Sequence, residues 1–121
     1  MPQADVKMTV HSIRPDIRSI AVDGEITAFA EEALMNAYQE ASGDGVKTII
    51  LNFDGLKYMN SSGIGLLVTM LIRAQRQNQS LAAVGLNEHY RRIFELTRLN
   101  EAISIHPTEA DAIAAVQSSV K

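Results

Sequence analysis

The sequence contains no cysteine and few aromatic residues. Of its 121 residues none is cysteine or tryptophan, and aromatic residues make up 5% of the chain. A chain without cysteine has no disulfide framework, no thiolate metal site and no cysteine nucleophile. The three histidines, His11, His89 and His106, lack the spacing of metal ligands. The sequence therefore predicts neither a metal centre nor a bound cofactor.

Excess positive charge and long hydrophobic runs are also missing. Eleven Lys and Arg stand against 14 Asp and Glu, a formal net charge of −3, which gives no basic surface for nucleic acids. The longest apolar stretch, Ile64 to Ile72, is interrupted by Gly65 and Thr69 and is far too short to span a bilayer. The N-terminus has no secretory signal pattern. We expect a cytoplasmic protein that neither binds nucleic acid directly nor inserts into a membrane.

The remaining composition is that of an ordinary single domain. Hydrophobic residues make up 46% of the chain and charged residues 21%, and the length is enough to bury a core. No linker, repeat or low-complexity tract divides the chain. We expect one domain over residues 1–121, with its core at about 6–118.

Hydrophobic patterns of strand and helix type alternate along the chain. Strands are predicted at 6–13, 17–22, 46–53, 80–86 and 102–106, and helices at 28–41, 62–78, 88–97 and 107–118. This ββαβαβαβα order predicts an α/β fold with a mixed, mostly parallel sheet of about five strands and helices mainly on one face. The third strand is nearly continuous in apolar residues and should lie at the sheet centre. Residues 54–59 are predicted to be a short connection.

The segment YMNSSGIGLL, residues 58–67, joins the third strand to the second helix. Ser61 or Ser62 is the expected N-cap, because a serine hydroxyl can accept a hydrogen bond from a free N–H one turn later. Gly63 and Gly65 lie in the first turn, where each glycine costs about 1 kcal/mol relative to alanine. That cost indicates a close approach to the helix backbone. Together with Asn60, the segment holds more polar groups than a cap requires.

The second helix is apolar over more of its circumference than one buried stripe needs. The expected core stripe comprises Ile64, Leu67, Val68 and Leu71. Leu66 and Met70 lie to one side of that stripe, and we expect them to form a contact patch for a partner.

The chemistry of the segment has three open interpretations: a helix cap, a phosphorylated serine or a noncovalent nucleotide site. A helix N-terminus attracts anions, and a serine phosphate would bring about −1.5 to −2 charges there. That charge would repel a partner that packs well on the bare hydroxyl. Nucleotide binding is weakly supported, because the third glycine of the dinucleotide motif and the P-loop lysine are absent. No nucleophile elbow is present, which disfavours a hydrolase.

The motif LNFDGLKYMNSSGIGLL closely resembles the signature of STAS domains, specifically of anti-sigma factor antagonists. That signature is an apolar strand, a short loop and Asp-Ser-[Ser/Thr]-Gly-[Leu/Ile]-Gly. The segment VDGEIT is similar to the family's Gly-Glu-Leu-Asp segment. The stretch RRIFELTRLNEAISIHPTEADAIAAV is similar to its closing helix, strand and helix. The resemblance covers nearly the whole chain.

The resemblance implies a partner-switching regulator that is not an enzyme. In that family a partner that is both kinase and anti-sigma factor phosphorylates the serine after the Asp. The unphosphorylated antagonist binds this partner and releases the sigma factor, and a PP2C-type phosphatase resets the cycle. The phosphoacceptor then corresponds to Ser61, with Ser62 as the neighbouring hydroxyl and Gly63 and Gly65 as the family glycines.

Two positions depart from the family pattern. Asn60 and Thr27 stand where the family usually has Asp, which removes negative charge that could orient the serine hydroxyl. Both side chains can still form hydrogen bonds. Three relatives remain as alternatives: a STAS subunit of a membrane lipid transporter, a small-ligand or nucleotide sensor, and a stressosome-like scaffold.

Overall fold

The chain folds into five strands and four α-helices in the predicted ββαβαβαβα order. The computed structural model describes residues 5–43 and 45–119, so the ends of the predicted 1–121 domain lie outside the described residues. The strands are Val6–Arg14 (β1), Ile17–Ile26 (β2), Thr48–Met59 (β3), Ser80–Val84 (β4) and Ile103–His106 (β5). The helices are Glu31–Ala41 (α1), Ser61–Arg76 (α2), Glu88–Leu96 (α3) and Glu109–Ser119 (α4). Short 3-10 turns occupy Ala28–Ala30 and Leu99–Glu101.

The five strands form one mixed sheet in the order β1-β2-β3-β4-β5. β1 and β2 form an antiparallel hairpin, and the three remaining pairings are parallel. β3 occupies the centre, as its apolar run predicts. Its residues are buried on both faces, since Ile49 and Leu51 belong to one apolar cluster and Ile50 to another. The predicted fold class is confirmed.

The two apolar clusters place three helices on one face of the sheet and one on the other. α1, α2 and α3 contribute Leu34, Leu67 and Phe94 to the larger cluster. α4 contributes Ala112 to the smaller cluster, together with Ile50 from β3.

The strands β2 to β5 are parallel, so their carboxyl ends lie at one edge of the sheet, where the helices α2, α3 and α4 begin. None of the helices within the described ranges has the length and hydrophobicity needed to cross a membrane.

β3 is longer than predicted, and the expected connection at 54–59 is wrong. The strand continues to Met59, which pairs with Ile26 of β2. Two register shifts interrupt this pairing. A bulge adds a residue to one strand, so the alternation of apolar and polar residues is lost there. For that reason the sequence does not predict that residues 54–59 belong to the strand.

The start of the first helical segment also differs from the prediction. In the helix predicted over 28–41 apolar residues recur every four from Phe29, which places Phe29 on the buried face, but its side chain is 58% exposed. Residues Ala28–Ala30 form a 3-10 turn, and the α-helix begins only at Glu31. A 3-10 turn has three residues per turn rather than 3.6, so Phe29 does not share the helical phase of the residues that follow.

Candidate functional site

The site is built on the adjacent carboxyl ends of β2 and β3. Ile26 and Met59 pair across these strands, and the N–H of Asn60 donates to the Ile26 carbonyl oxygen at 3.3 Å. On the other side, the N–H of Met59 donates to the Tyr90 hydroxyl of α3 at 2.9 Å, in a buried position. The end of β3 is thus held from both sides, which fixes where α2 begins.

The N-cap of α2 is Asn60, so the prediction that Ser61 or Ser62 caps the helix is wrong. Asn60 has extended backbone angles, and its Oδ1 accepts from the N–H of Gly63 at 3.0 Å. Its carbonyl oxygen accepts from the N–H of Ile64 at 3.0 Å. The pairing of β3 with β2 reaches Met59, so the chain turns into the helix at Asn60, one residue earlier than expected.

Because Asn60 caps α2, neither the Ser61 nor the Ser62 hydroxyl acts as the helix cap. Ser61 and Ser62 are the first two residues of α2 and are exposed. Neither side chain forms a hydrogen bond with any residue in the described ranges. Asn60 supplies the cap oxygen without placing a negative charge next to Ser61, at the positive end of the helix dipole.

The two glycines of the first turn differ in their surroundings. A Cβ on Gly63 would collide with the carbonyl oxygen of Ile26 and lie 2.9 Å from Met59 Cγ. This glycine is therefore required by the packing of α2 against the end of β2. A Cβ on Gly65 would meet nothing within 4 Å, and this position is exposed. The protein's own packing explains Gly63 and does not explain Gly65.

The expected contact patch on α2 is only partly exposed. Met70 is fully buried, so the prediction that it contacts a partner is wrong, and Leu66 is half-buried against the core. The buried stripe of α2 consists of Gly63, Leu67, Met70, Leu71 and Ala74. Gly63 had been assigned to the functional site alone. Once it is counted as a member of the core stripe, Met70 lies on the same face, about two helical turns further along.

The exposed side of α2 carries a different apolar strip. Val68, predicted to be in the core, is 36% exposed, and Ile72 is 44% exposed. We call the exposed residues Ser61, Ser62, Gly65, Val68, Thr69 and Ile72 the α2 outer face. It joins free hydroxyls at the helix start to an apolar strip along the helix. The sequence predicts which residues form this outer face only if Gly63 is placed in the core.

Thr27 lies beside Asn60, because each follows one member of the Ile26–Met59 pair. Its Oγ1 accepts from the N–H of Phe29 at 3.3 Å and caps the 3-10 turn. Thr27 precedes the helix predicted over 28–41 and is its expected N-cap. It does act as a cap, but of this 3-10 turn rather than of an α-helix. The same turn contacts α2. Two aromatic side chains close to the strand ends, Phe29 and Tyr58, are 58% and 47% exposed, and no pattern in the sequence predicts their exposure here.

Comparison with known proteins identifies the class to which this fold and site belong. The model of the STAS domain family matches residues 9–112. The chain therefore belongs to the STAS domain family, as its resemblance implied.

The most similar relatives include a curated protein and two solved structures. The Anti-sigma-B factor antagonist of Staphylococcus aureus (strain NCTC 8325 / PS 47) is 26% identical over 87 residues, which cover 72% of this chain and 81% of that protein. An anti-sigma factor antagonist from Mycobacterium paratuberculosis has a TM-score of 0.78 at 21% identity and covers 96% of this chain and 99% of its own. The anti-sigma factor antagonist SpoIIAA in its unphosphorylated form has a TM-score of 0.68 at 22% identity, with 92% and 98% covered. These structures share the fold of this chain.

Proposed function

We propose that this protein is an anti-sigma factor antagonist that binds a kinase/anti-sigma factor through the α2 outer face and is released when Ser61 is phosphorylated. One observation carries the proposal: Asn60 caps α2, which leaves the Ser61 hydroxyl free and exposed at the start of an exposed apolar strip. The names of similar proteins support the same assignment.

The apolar strip and Gly65 fit a docking surface. Exposed apolar side chains that lie in a row on one helix are typical of a protein contact. Glycine in an exposed helical turn costs about 1 kcal/mol relative to alanine. No neighbour within the described residues requires Gly65, so we assign that cost to a partner whose backbone or side chain approaches the helix there.

Phosphorylation would change the charge at the start of this surface. The Ser61 Oγ attacks the γ-phosphorus of ATP held by the kinase partner, the Oγ–P bond forms, and the bond to the leaving ADP oxygen breaks. The hydroxyl proton passes to a base of the partner, because Asn60 and Thr27 provide no carboxylate. The phosphate, of about −2 charge, is stabilised by the helix dipole and repels a partner surface shaped for a neutral hydroxyl. A PP2C-type phosphatase would restore the hydroxyl by hydrolysis of the same bond.

Affinity capture from a lysate of the source organism tests this proposal. Wild type, Ser61→Ala and Ser61→Asp are immobilised in parallel, and the captured proteins are identified and quantified by mass spectrometry. We expect wild type and Ser61→Ala to capture one protein with both a kinase domain and a sigma-binding activity, and Ser61→Asp to lose it.

A matched pair of variants separates docking from folding in the same experiment. Val68→Asp alters the exposed strip and should abolish capture, whereas Asn36→Asp, at an exposed position of α1, should leave capture unchanged. Equal capture by all variants would reject the docking face. Capture of a transporter ATPase or permease in place of a kinase would indicate the transporter alternative.

A further inference from the structure

A cavity of about 500 Å³ opens at the carboxyl ends of β4 and β5. Its charged and polar lining comes from Arg91 and Glu95 of α3, Asn100 of the second 3-10 turn and His106 of β5. Leu86 and Ile105 provide apolar lining. Most of the lining is therefore polar or charged. In small-molecule sites such groups fix the orientation of the ligand. Neither the proposed docking face nor the Ser61 switch uses this cavity.

The topology of the sheet explains why a cavity opens at this place. β4 is followed by α3, whose Phe94 packs in the larger apolar cluster, while β5 is followed by α4, whose Ala112 packs in the smaller cluster on the opposite face. The connections after two neighbouring parallel strands therefore leave the sheet in opposite directions. A crevice forms between such connections, and α/β proteins bind ligands there.

Two unpaired charges face this cavity from the same helix. Arg91 and Glu95 are four residues apart on α3, a spacing at which opposite charges often form an ion pair. Within residues 5–43 and 45–119, however, the single ion pair joins Arg14 and Asp16. The guanidinium and the carboxylate are both exposed and line the cavity without neutralising each other. A ligand with one negative and one positive group would match them.

We propose that this cavity binds a free α-amino acid with an aliphatic side chain. Arg91 is suited to bind the ligand carboxylate through two parallel hydrogen bonds, and Glu95 to accept hydrogen bonds from the ammonium group. Side chains four residues apart on a helix lie about 5–6 Å apart at Cβ, which suits a small zwitterion. The aliphatic side chain packs against Leu86 and Ile105.

The site is connected to the start of α2 through one residue. Tyr90 directly precedes Arg91 on α3. Its hydroxyl accepts a hydrogen bond from the N–H of Met59, the residue before the cap residue Asn60. A bound amino acid thus contacts the helix that holds the end of β3. This connection gives the ligand a route to influence Ser61, although the site is proposed independently of the docking function.

Isothermal titration calorimetry of the full chain with L-leucine, L-isoleucine and L-valine tests this site. We expect saturable binding of at least one of them at millimolar concentrations or below. The matched probes 4-methylpentanoate, which lacks the amino group of leucine, and 3-methylbutylamine, which lacks its carboxylate, should each bind about tenfold more weakly or not at all. Absence of saturable binding of all three amino acids, or equal binding of 4-methylpentanoate, would overturn the proposal.

Three variants, each of which replaces one charged side chain by glutamine, test which residues bind the amino acid. Arg91→Gln and Glu95→Gln should each weaken amino acid binding about tenfold or more, because each removes a charge-assisted contact. Arg92→Gln serves as the control, since Arg92 lies on the same helix but lines only a neighbouring surface depression. All three side chains are exposed, so the fold should persist, and thermal unfolding checks this. Binding that survives both Arg91→Gln and Glu95→Gln would reject the assigned ligand contacts.

Discussion

At the scale of single residues, Asn60 decides what the two serines are free to do. A serine and an asparagine are both good N-caps, so the local sequence does not distinguish them. The end of β3 distinguishes them, because its pairing with β2 places Asn60, rather than Ser61, at the turn into the helix. Asn60 therefore supplies the cap oxygen without a negative charge.

Variants of Asn60 separate capping from charge. Asn60→Ala should lower the free energy of unfolding by about 1 kcal/mol, because the N–H of Gly63 loses its partner. Asn60→Asp retains an acceptor oxygen at the same position and should unfold at nearly the wild-type denaturant concentration. Urea denaturation followed by circular dichroism measures both. Equal stability of the alanine and wild-type proteins would mean that the cap contributes nothing.

The two glycines of α2 should respond in opposite ways to alanine. Gly63→Ala forces a Cβ into the carbonyl of Ile26 and should destabilise the protein by more than about 2 kcal/mol. Gly65→Ala meets open space and should stabilise it by up to about 1 kcal/mol. The same Gly65→Ala variant should bind the captured partner more weakly. Unchanged partner affinity would show that Gly65 is not a contact.

Arg98 has a backbone conformation that suits glycine better. It follows α3 with φ of 63°, in the left-handed region. Arg98→Gly should therefore raise the free energy of unfolding by about 1 kcal/mol. Asn78 has a similar φ of 58° after α2, but asparagine tolerates this region better, so Asn78→Gly should have a smaller effect. Thermal or urea denaturation of both variants checks the difference, and a destabilised Arg98→Gly protein would contradict it.

At the scale of elements, α2 has two roles on two faces. Its inner face packs Leu67, Met70 and Ala74 into the larger apolar cluster, with none of these side chains exposed. Its outer face carries Val68 and Ile72, which are 36% and 44% exposed. Stability should therefore depend on the inner face, and partner binding on the outer face.

Substitutions on the two faces test this division. Met70→Ala should cost about 2–5 kcal/mol of stability, as for other buried large-to-small changes. Val68→Asp should change stability by less than about 0.5 kcal/mol, which is usual for surface positions, and should abolish binding to the captured partner. Urea denaturation and titration calorimetry with that partner give the two readouts. If Val68→Asp unfolds as easily as Met70→Ala, the assignment of the outer face is wrong.

The elements themselves were largely predictable from the sequence, and the functional surface was not. Periodicity identified every strand and α-helix, because each long element keeps one regular pattern. It failed at β3 beyond Phe53, where register shifts break the alternation, and at Phe29, where a 3-10 turn changes the helical phase. It also placed Met70 outside and Val68 inside, because a core glycine has no side chain to mark the buried stripe.

At the scale of the whole molecule, both proposed sites lie at one edge of the sheet. The parallel strands end there, so Ser61 at the start of α2 and the cavity beside Arg91 both lie at that edge. Sequence reasoning found the first through a local motif. It did not find the second, because the cavity arises from α3 and α4 packing on opposite faces, and no short motif encodes that arrangement.

The central claim is that the charge on Ser61 controls partner binding. The most direct test titrates the captured kinase/anti-sigma factor into a Ser62→Ala protein, either unphosphorylated or phosphorylated at Ser61 by that partner with ATP and checked by mass spectrometry. We expect the phosphorylated form to bind at least about tenfold more weakly, since each unfavourable 1.4 kcal/mol is a factor of ten. Equal affinity of the two forms, or phosphate found at a residue other than Ser61, would contradict the account.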